Sequence, residues 1–75
     1  TYAAKELVER AVRELPERDQ TVVVHHLLEG RTFETIAGLI GVHEKTVRER
    51  YHAAMRRLDA IVRRLWLRGR WTTPR

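Results

Sequence analysis

The chain has 75 residues, a formal net charge of +5 and no cysteine. That length admits one domain, able to bury only about 60% of its unfolded surface, and leaves no room for a second. The missing thiols exclude disulfide staples and thiolate metal sites and suit a reducing cytoplasm, while apolar runs such as residues 22–24 and 27–28 fall far short of the roughly 20 residues of a membrane span.

Charge is unevenly spread. Residues 1–30 carry four basic and six acidic side chains, whereas residues 31–75 carry eleven and four. The second half therefore wants a polyanion. Nucleic acid is the commonest such partner for a small basic domain, an anionic membrane surface comes second, and a merely solvated basic surface is the bland alternative. No signal-like segment opens the chain, and no membrane partner is expected. The start at Thr1 rather than a methionine points to a part excised from a longer protein.

Helical periodicity dominates, with only an isolated β-branched run at 21–24, so the predicted fold is all-α: a small four-helix domain over residues 1–68 with an irregular basic tail at 69–75. Leu7, Val8, Ala11, Val12 and Leu15 make one apolar stripe of a first helix over residues 3–15. Pro16 closes it and opens the next, where a missing N–H costs nothing. The second helix, residues 17–29, is expected to turn Val23, Val24, Leu27 and Leu28 to the core and to end at Gly30. Thr32 is the expected N-cap of a third helix, Phe33–Ile40, which Gly41 stops. A fourth and longest helix starts near Glu44 and meets no breaker before Gly69.

Residues 33–52 carry the functional signal. A helix-turn-helix needs a small residue where its helices cross, a left-handed turn residue four later and a branched apolar residue six beyond that. Ala37, Gly41 and Val47 meet these demands, with Ile36, Ile40 and Val42 as further buried apolar positions. Glu44, Lys45, Arg48, Glu49 and His52 then fall on the outward face of the fourth helix, where they can meet base edges. An ordinary αα-corner is the competing reading, and the coincidence of basic charge with this helix weighs against it.

The stretches Leu15-Pro16-Glu17-Arg18, Leu28-Glu29-Gly30, Phe33-Glu34-Thr35-Ile36-Ala37, Gly41-Val42, Thr46-Val47-Arg48-Glu49-Arg50 and Ala54-Met55-Arg56-Arg57-Leu58 resemble region four of bacterial RNA polymerase sigma factors. The resemblance covers about residues 5–58, and the Thr46-Val47 and Arg50-Tyr51-His52 phrases lean toward the alternative or extracytoplasmic-function groups. It implies binding of double-stranded promoter DNA at the −35 element and docking on the β-subunit flap of core RNA polymerase. Two positions depart from the family pattern: His43 stands where serine or threonine would cap the recognition helix, and Thr35 where an acidic residue would complete a capping box. The runner-up, the LuxR-type effector domain of response regulators, shares Glu44-Lys45-Thr46-Val47 and would dimerise through its last helix. Leu15-Pro16 and the ending at residues 54–58 favour the sigma resemblance.

On this reading Arg48 is the candidate for direct readout of guanine, flanked by Lys45 and Glu49. Glu44 is as well suited to the helix dipole as to a base. Arg31, Arg50, Arg56 and Arg57 are assigned to phosphates, with Thr32 adding a backbone contact from a helix N-terminus. His25 and His26 diverge on a helix and read as surface or interface residues, and His43 and His52 have no ligand-spaced partner, so no metal and no cofactor is expected. With neither serine nor cysteine, and no carboxylate pair or glycine-rich phosphate loop, no catalysis is expected.

The apolar stripe of the fourth helix runs on past the resemblance, through Ile61, Val62, Leu65 and Trp66, and Trp71 follows in the tail. These five form an expected protein interface, for a second copy, an anti-sigma factor or another regulator, which extends to a reading of the domain as an interaction scaffold. The alternative is that the extension folds back over Leu7 or Val12.

Overall fold

A computed structural model describes residues 2–68, all helices and turns. The tail at 69–75, with Trp71, lies outside the described residues. The order is α1 (Tyr2–Arg13), α2 (Glu17–Val23), a π-turn (Val24–Leu28), α3 (Phe33–Ile40) and α4 (Glu44–Leu67). None of the described helices is long and apolar enough to cross a membrane.

The first helix buries Leu7, Ala11 and Val12, with Leu15 just beyond its end. Its last turn tightens through bonds from the Glu14 and Leu15 amides to the Ala11 and Val12 carbonyls, at 3.1 and 3.0 Å, so the regular helix stops two residues before the expected boundary. The carbonyls left over at such an end need donors. The Gln20 side chain supplies them, donating to the Arg13 and Leu15 carbonyls at 3.1 and 2.9 Å. Pro16 occupies the N-cap of α2 in an extended conformation, as its lack of an N–H favours.

The expected single helix over 17–29 is two elements. Beyond Val23 the hydrogen bonding slips by one residue, the Glu29 amide reaching the Val24 carbonyl at 3.0 Å. The core-facing stripe is thus Asp19, Val22 and Val23 with half-buried His26, and the wider turn carries Leu27 and Leu28 out of it. They are 43% and 48% exposed, against the expectation that they pack inward. Gly30, at φ 71°, then reverses the chain, with the Arg31 amide bonded to the His25 carbonyl.

The spine of the domain is α4. Val47, Ala54, Leu58 and Leu65 are buried along one face, with Tyr51 and Ile61 half-buried between them, and they meet α1, α2 and α3 in one core. Leu65 is only 2% exposed, and Ile61 and Val62 pack on the same core. The extension therefore packs on its own domain, with Leu65 in the core and Ile61 and Val62 half-buried against it, because the stripe keeps its register through the whole helix. Arg64 pairs with Glu14 and ties the extension to the end of α1. Only Trp66 and Leu67 of this segment stand out as large exposed apolar residues, at 51% and 84%.

Candidate nucleic-acid interface

The helix-turn-helix is built from α3, a three-residue turn and the first turns of α4. Thr32 caps α3, its Oγ1 accepting the Thr35 amide at 3.0 Å and donating to the Thr35 hydroxyl at 2.9 Å. The hydroxyl of Thr35 thus takes part in the cap where an acidic residue would reach back. At the other end Gly41 is left-handed, with φ 74° and ψ 37°. The amides of Gly41 and Val42 both donate to the Ala37 carbonyl, at 2.9 and 3.1 Å, which closes the helix and aims the chain into α4. His43 occupies the N-cap of α4 in an extended conformation but offers no side-chain bond to the helix amides. Ile36 and Val47 are fully buried and Ala37 nearly so, and half-buried Ile40 and Val42 pack against them. The six residues expected at the crossing thus lie in α3, the turn and the start of α4, five of them in or against the core and Gly41 at the left-handed turn.

With Val47 locked inward, the periodicity of α4 turns Glu44, Lys45, Arg48, Glu49 and His52 outward, and all five are exposed. Arg48 and Glu44 form an ion pair one turn apart. The guanidinium of Arg48 also lies 5.9 Å from the centroid of the Phe33 ring. Phe33 belongs to a ring cluster that residue spacing alone did not disclose. His26 stacks on it at 4.2 Å, Tyr51 meets it at 5.4 Å, and His52 approaches edge-on at 6.5 Å. Nδ1 of His26 faces the Arg31 carbonyl at 2.8 Å, and since a carbonyl can only accept, that nitrogen carries the proton. Burial pushes the Tyr51 hydroxyl up from its ordinary range.

The residues expected at phosphates separate into groups. Arg56 is exposed one turn beyond His52 and extends the outward face. Arg31 is exposed beside Thr32, its Nε donating to Glu29 at 3.0 Å. The Arg31 guanidinium holds the Glu29 carboxyl below its usual range, with His25 adding to the effect from 3.0 Å. Arg50 is half-buried on the flank. Arg57 lies on the flank that faces α2, where it pairs with Asp19, whose side chain is only 5% exposed. A buried carboxylate needs a compensating cation, and this pair gives Arg57 a partner within the fold.

A family model, sigma-70 region 4, matches residues 5–58. The chain belongs to this family. The matched span runs from α1 to Leu58 and contains the whole helix-turn-helix, so the LuxR-type alternative is set aside. No curated protein and no solved structure matches the chain. Sigma-70 region 4 domains bind promoter DNA at the −35 element and contact core RNA polymerase, and they are DNA-binding rather than catalytic units of transcription initiation. In this region 4 domain, residues 59–67 extend α4 beyond the family match, and Leu65 of that extension still joins the core.

Proposed function

We propose that the amino-terminal turns of α4 read the −35 element in the major groove, with Arg48 as the principal base-reading side chain. The observation that carries this reading is the single exposed face formed by Glu44, Lys45, Arg48, Glu49 and His52 directly after the Gly41 turn. Such a face, on a helix braced by a second one, has the shape and donor set that base edges require. Lys45 donates to guanine or phosphate, Glu49 accepts from a cytosine amino group, and His52 makes a polar contact at the groove wall. Arg31, Thr32, Arg50 and Arg56 straddle the groove at phosphates. Docking on the flap of the polymerase β subunit uses an apolar surface of the other helices. The Thr46-Val47 and Arg50-Tyr51-His52 phrases support a reading of the domain as one of the alternative or extracytoplasmic-function type. Half-exposed Trp66 is the anchor for an anti-sigma factor or other regulator.

Fluorescence anisotropy on −35-like and scrambled duplexes tests the base-reading role. Arg48→Ala should weaken specific binding by about 1–3 kcal/mol and relax selectivity at one base pair. Arg56→Ala should weaken both duplexes alike and lower the salt slope by about 1, since each neutralised phosphate releases roughly one counterion. Equal loss on both duplexes for Arg48→Ala would move Arg48 to the phosphate set. Weak, sequence-blind binding by the unaltered chain would leave the domain as a protein-interaction scaffold.

A further inference from the structure

The recognition face holds one arrangement that the family assignment does not explain: the side chain best suited to read a base is restrained from two sides before any DNA arrives. Glu44 takes one edge of the Arg48 guanidinium, and the Phe33 ring lies 5.9 Å below its carbon. That distance is within the range at which a ring face attracts a cation. Phe33 is itself fixed, stacked on His26 at 4.2 Å and tilted against Tyr51 at 5.4 Å, while His26 meets Tyr51 edge-on at 4.6 Å. His26 owes its place to the π-turn, and its proton on Nδ1 binds the Arg31 carbonyl across the Gly30 reversal. A chain of contacts thus runs from an irregular turn in the second helical segment to the guanidinium on the recognition helix.

We propose that Phe33 is a specificity-determining positioning residue, whose ring, clamped by His26 and Tyr51, fixes the guanidinium of Arg48 for base readout. The proposal rests on the base-reading role of Arg48 given above. An arginine is long and rotamer-rich, and a bidentate contact to a guanine edge demands one orientation of a planar group. Freezing that orientation in the free protein removes part of the ordering cost at binding, so the benefit falls on the base pair Arg48 reads and nowhere else. Leucine at position 33 would fill the half-buried site but has no ring face. Tyrosine keeps the face.

The test measures anisotropy Kd values of the 75-residue chain on a −35-like duplex and its single-base-pair variants, for Phe33→Leu, Phe33→Tyr, Arg48→Ala and the Phe33→Leu/Arg48→Ala double variant. Arg48→Ala first identifies the base pair that loses discrimination. Phe33→Leu should cut discrimination at that pair about two- to fivefold, the range of a partly exposed cation–ring contact. Phe33→Tyr should restore it, and the double variant should lose nothing there beyond Arg48→Ala alone. In the free chain, the order parameter of the Arg48 side-chain Nε–H should fall in Phe33→Leu and recover in Phe33→Tyr. A uniform affinity loss across all duplexes for Phe33→Leu, with the Arg48 order parameter unchanged, overturns the proposal and leaves Phe33 a packing residue. No base pair responding to Arg48→Ala would overturn the base-reading assignment, and the specificity role of Phe33 with it. The order parameter would still show whether the ring holds the guanidinium.

Discussion

The extension of α4 beyond Leu58 offers a sharp comparison, because it carries two leucines two positions apart in opposite surroundings. Leu65 is 2% exposed and Leu67 is 84% exposed. Changing either to alanine removes the same atoms from the same helix, so the difference in outcome isolates burial. A buried Leu→Ala change costs about 2–5 kcal/mol, and a site near the end of a helix relaxes readily, which places Leu65→Ala near the lower end, about 2–3 kcal/mol. For a domain of this size each kcal/mol moves Tm by about 4–8 °C, so a fall of roughly 8–24 °C is expected. Leu67→Ala should stay within about 0.5 kcal/mol, or a few degrees, as surface changes do. Circular dichroism melts of the two variants beside the unaltered chain decide the matter. Equal melting temperatures for the two variants would refute the packing of the extension against α1 and return Leu65 to the surface.

Other consequences are open to equally direct measurement. Arg57→Ala leaves the Asp19 carboxylate buried without its cation, and because Arg57 is itself 59% exposed the loss should be discounted to about 1–3 kcal/mol. Adding Asp19→Asn should recover part of it in urea melts, and the salt slope of DNA binding should not change with Arg57→Ala. His43→Ser supplies the side-chain cap that α4 lacks and should raise stability by about 1 kcal/mol, read as an increase in Tm; no increase would mean that the α4 amides already have their partners in water. At Gly41→Ala an added Cβ meets nothing within 4 Å, so the cost is backbone strain alone, about 1–2 kcal/mol at φ 74°, and Gly41→Asn should cost less. A loss well above that range would point to a rearranged turn.

How far the sequence disclosed this structure depended on what kind of signal each feature leaves. Thr32, Gly30 and Gly41 act through local backbone geometry, so their roles as cap and reversals were legible from residue type and position. The crossing of α3 and α4 was expected from two spacings, Ala37 to Gly41 and Gly41 to Val47. The π-turn left no such mark, since a one-residue slip in hydrogen bonding needs no particular side chain, and Leu27 and Leu28 were consequently placed in the core. Asp19 and Arg57 are 38 positions apart, and nothing in a charge pattern ties an acid on one helix to a base on another across that gap. The stripe on α4 showed that Leu65 had an apolar face to satisfy, and was silent on whether this chain or another would satisfy it. Packing decided that, because α1 and α4 run together far enough for Leu65 to join the core containing Leu7 and Val12.

The ring cluster escaped the sequence for a related reason, and its position bears on how affinity and selectivity divide over the surface. The first turns of α4 present Glu44 and Glu49 alongside Lys45 and Arg48, so the recognition face is close to neutral, with one acid already engaged by Arg48. A neutral face gains little from the phosphate field, and its contacts are won or lost on geometry. On the proposed reading the surplus of cations lies at Arg31, Arg50 and Arg56, outside these first turns, and counterion release at their phosphates would supply affinity without regard to sequence. Under that division, raising salt should weaken specific and scrambled duplexes with nearly the same slope and leave their ratio almost untouched. Loosening Phe33 should do the reverse, lowering the ratio while the slope stays put.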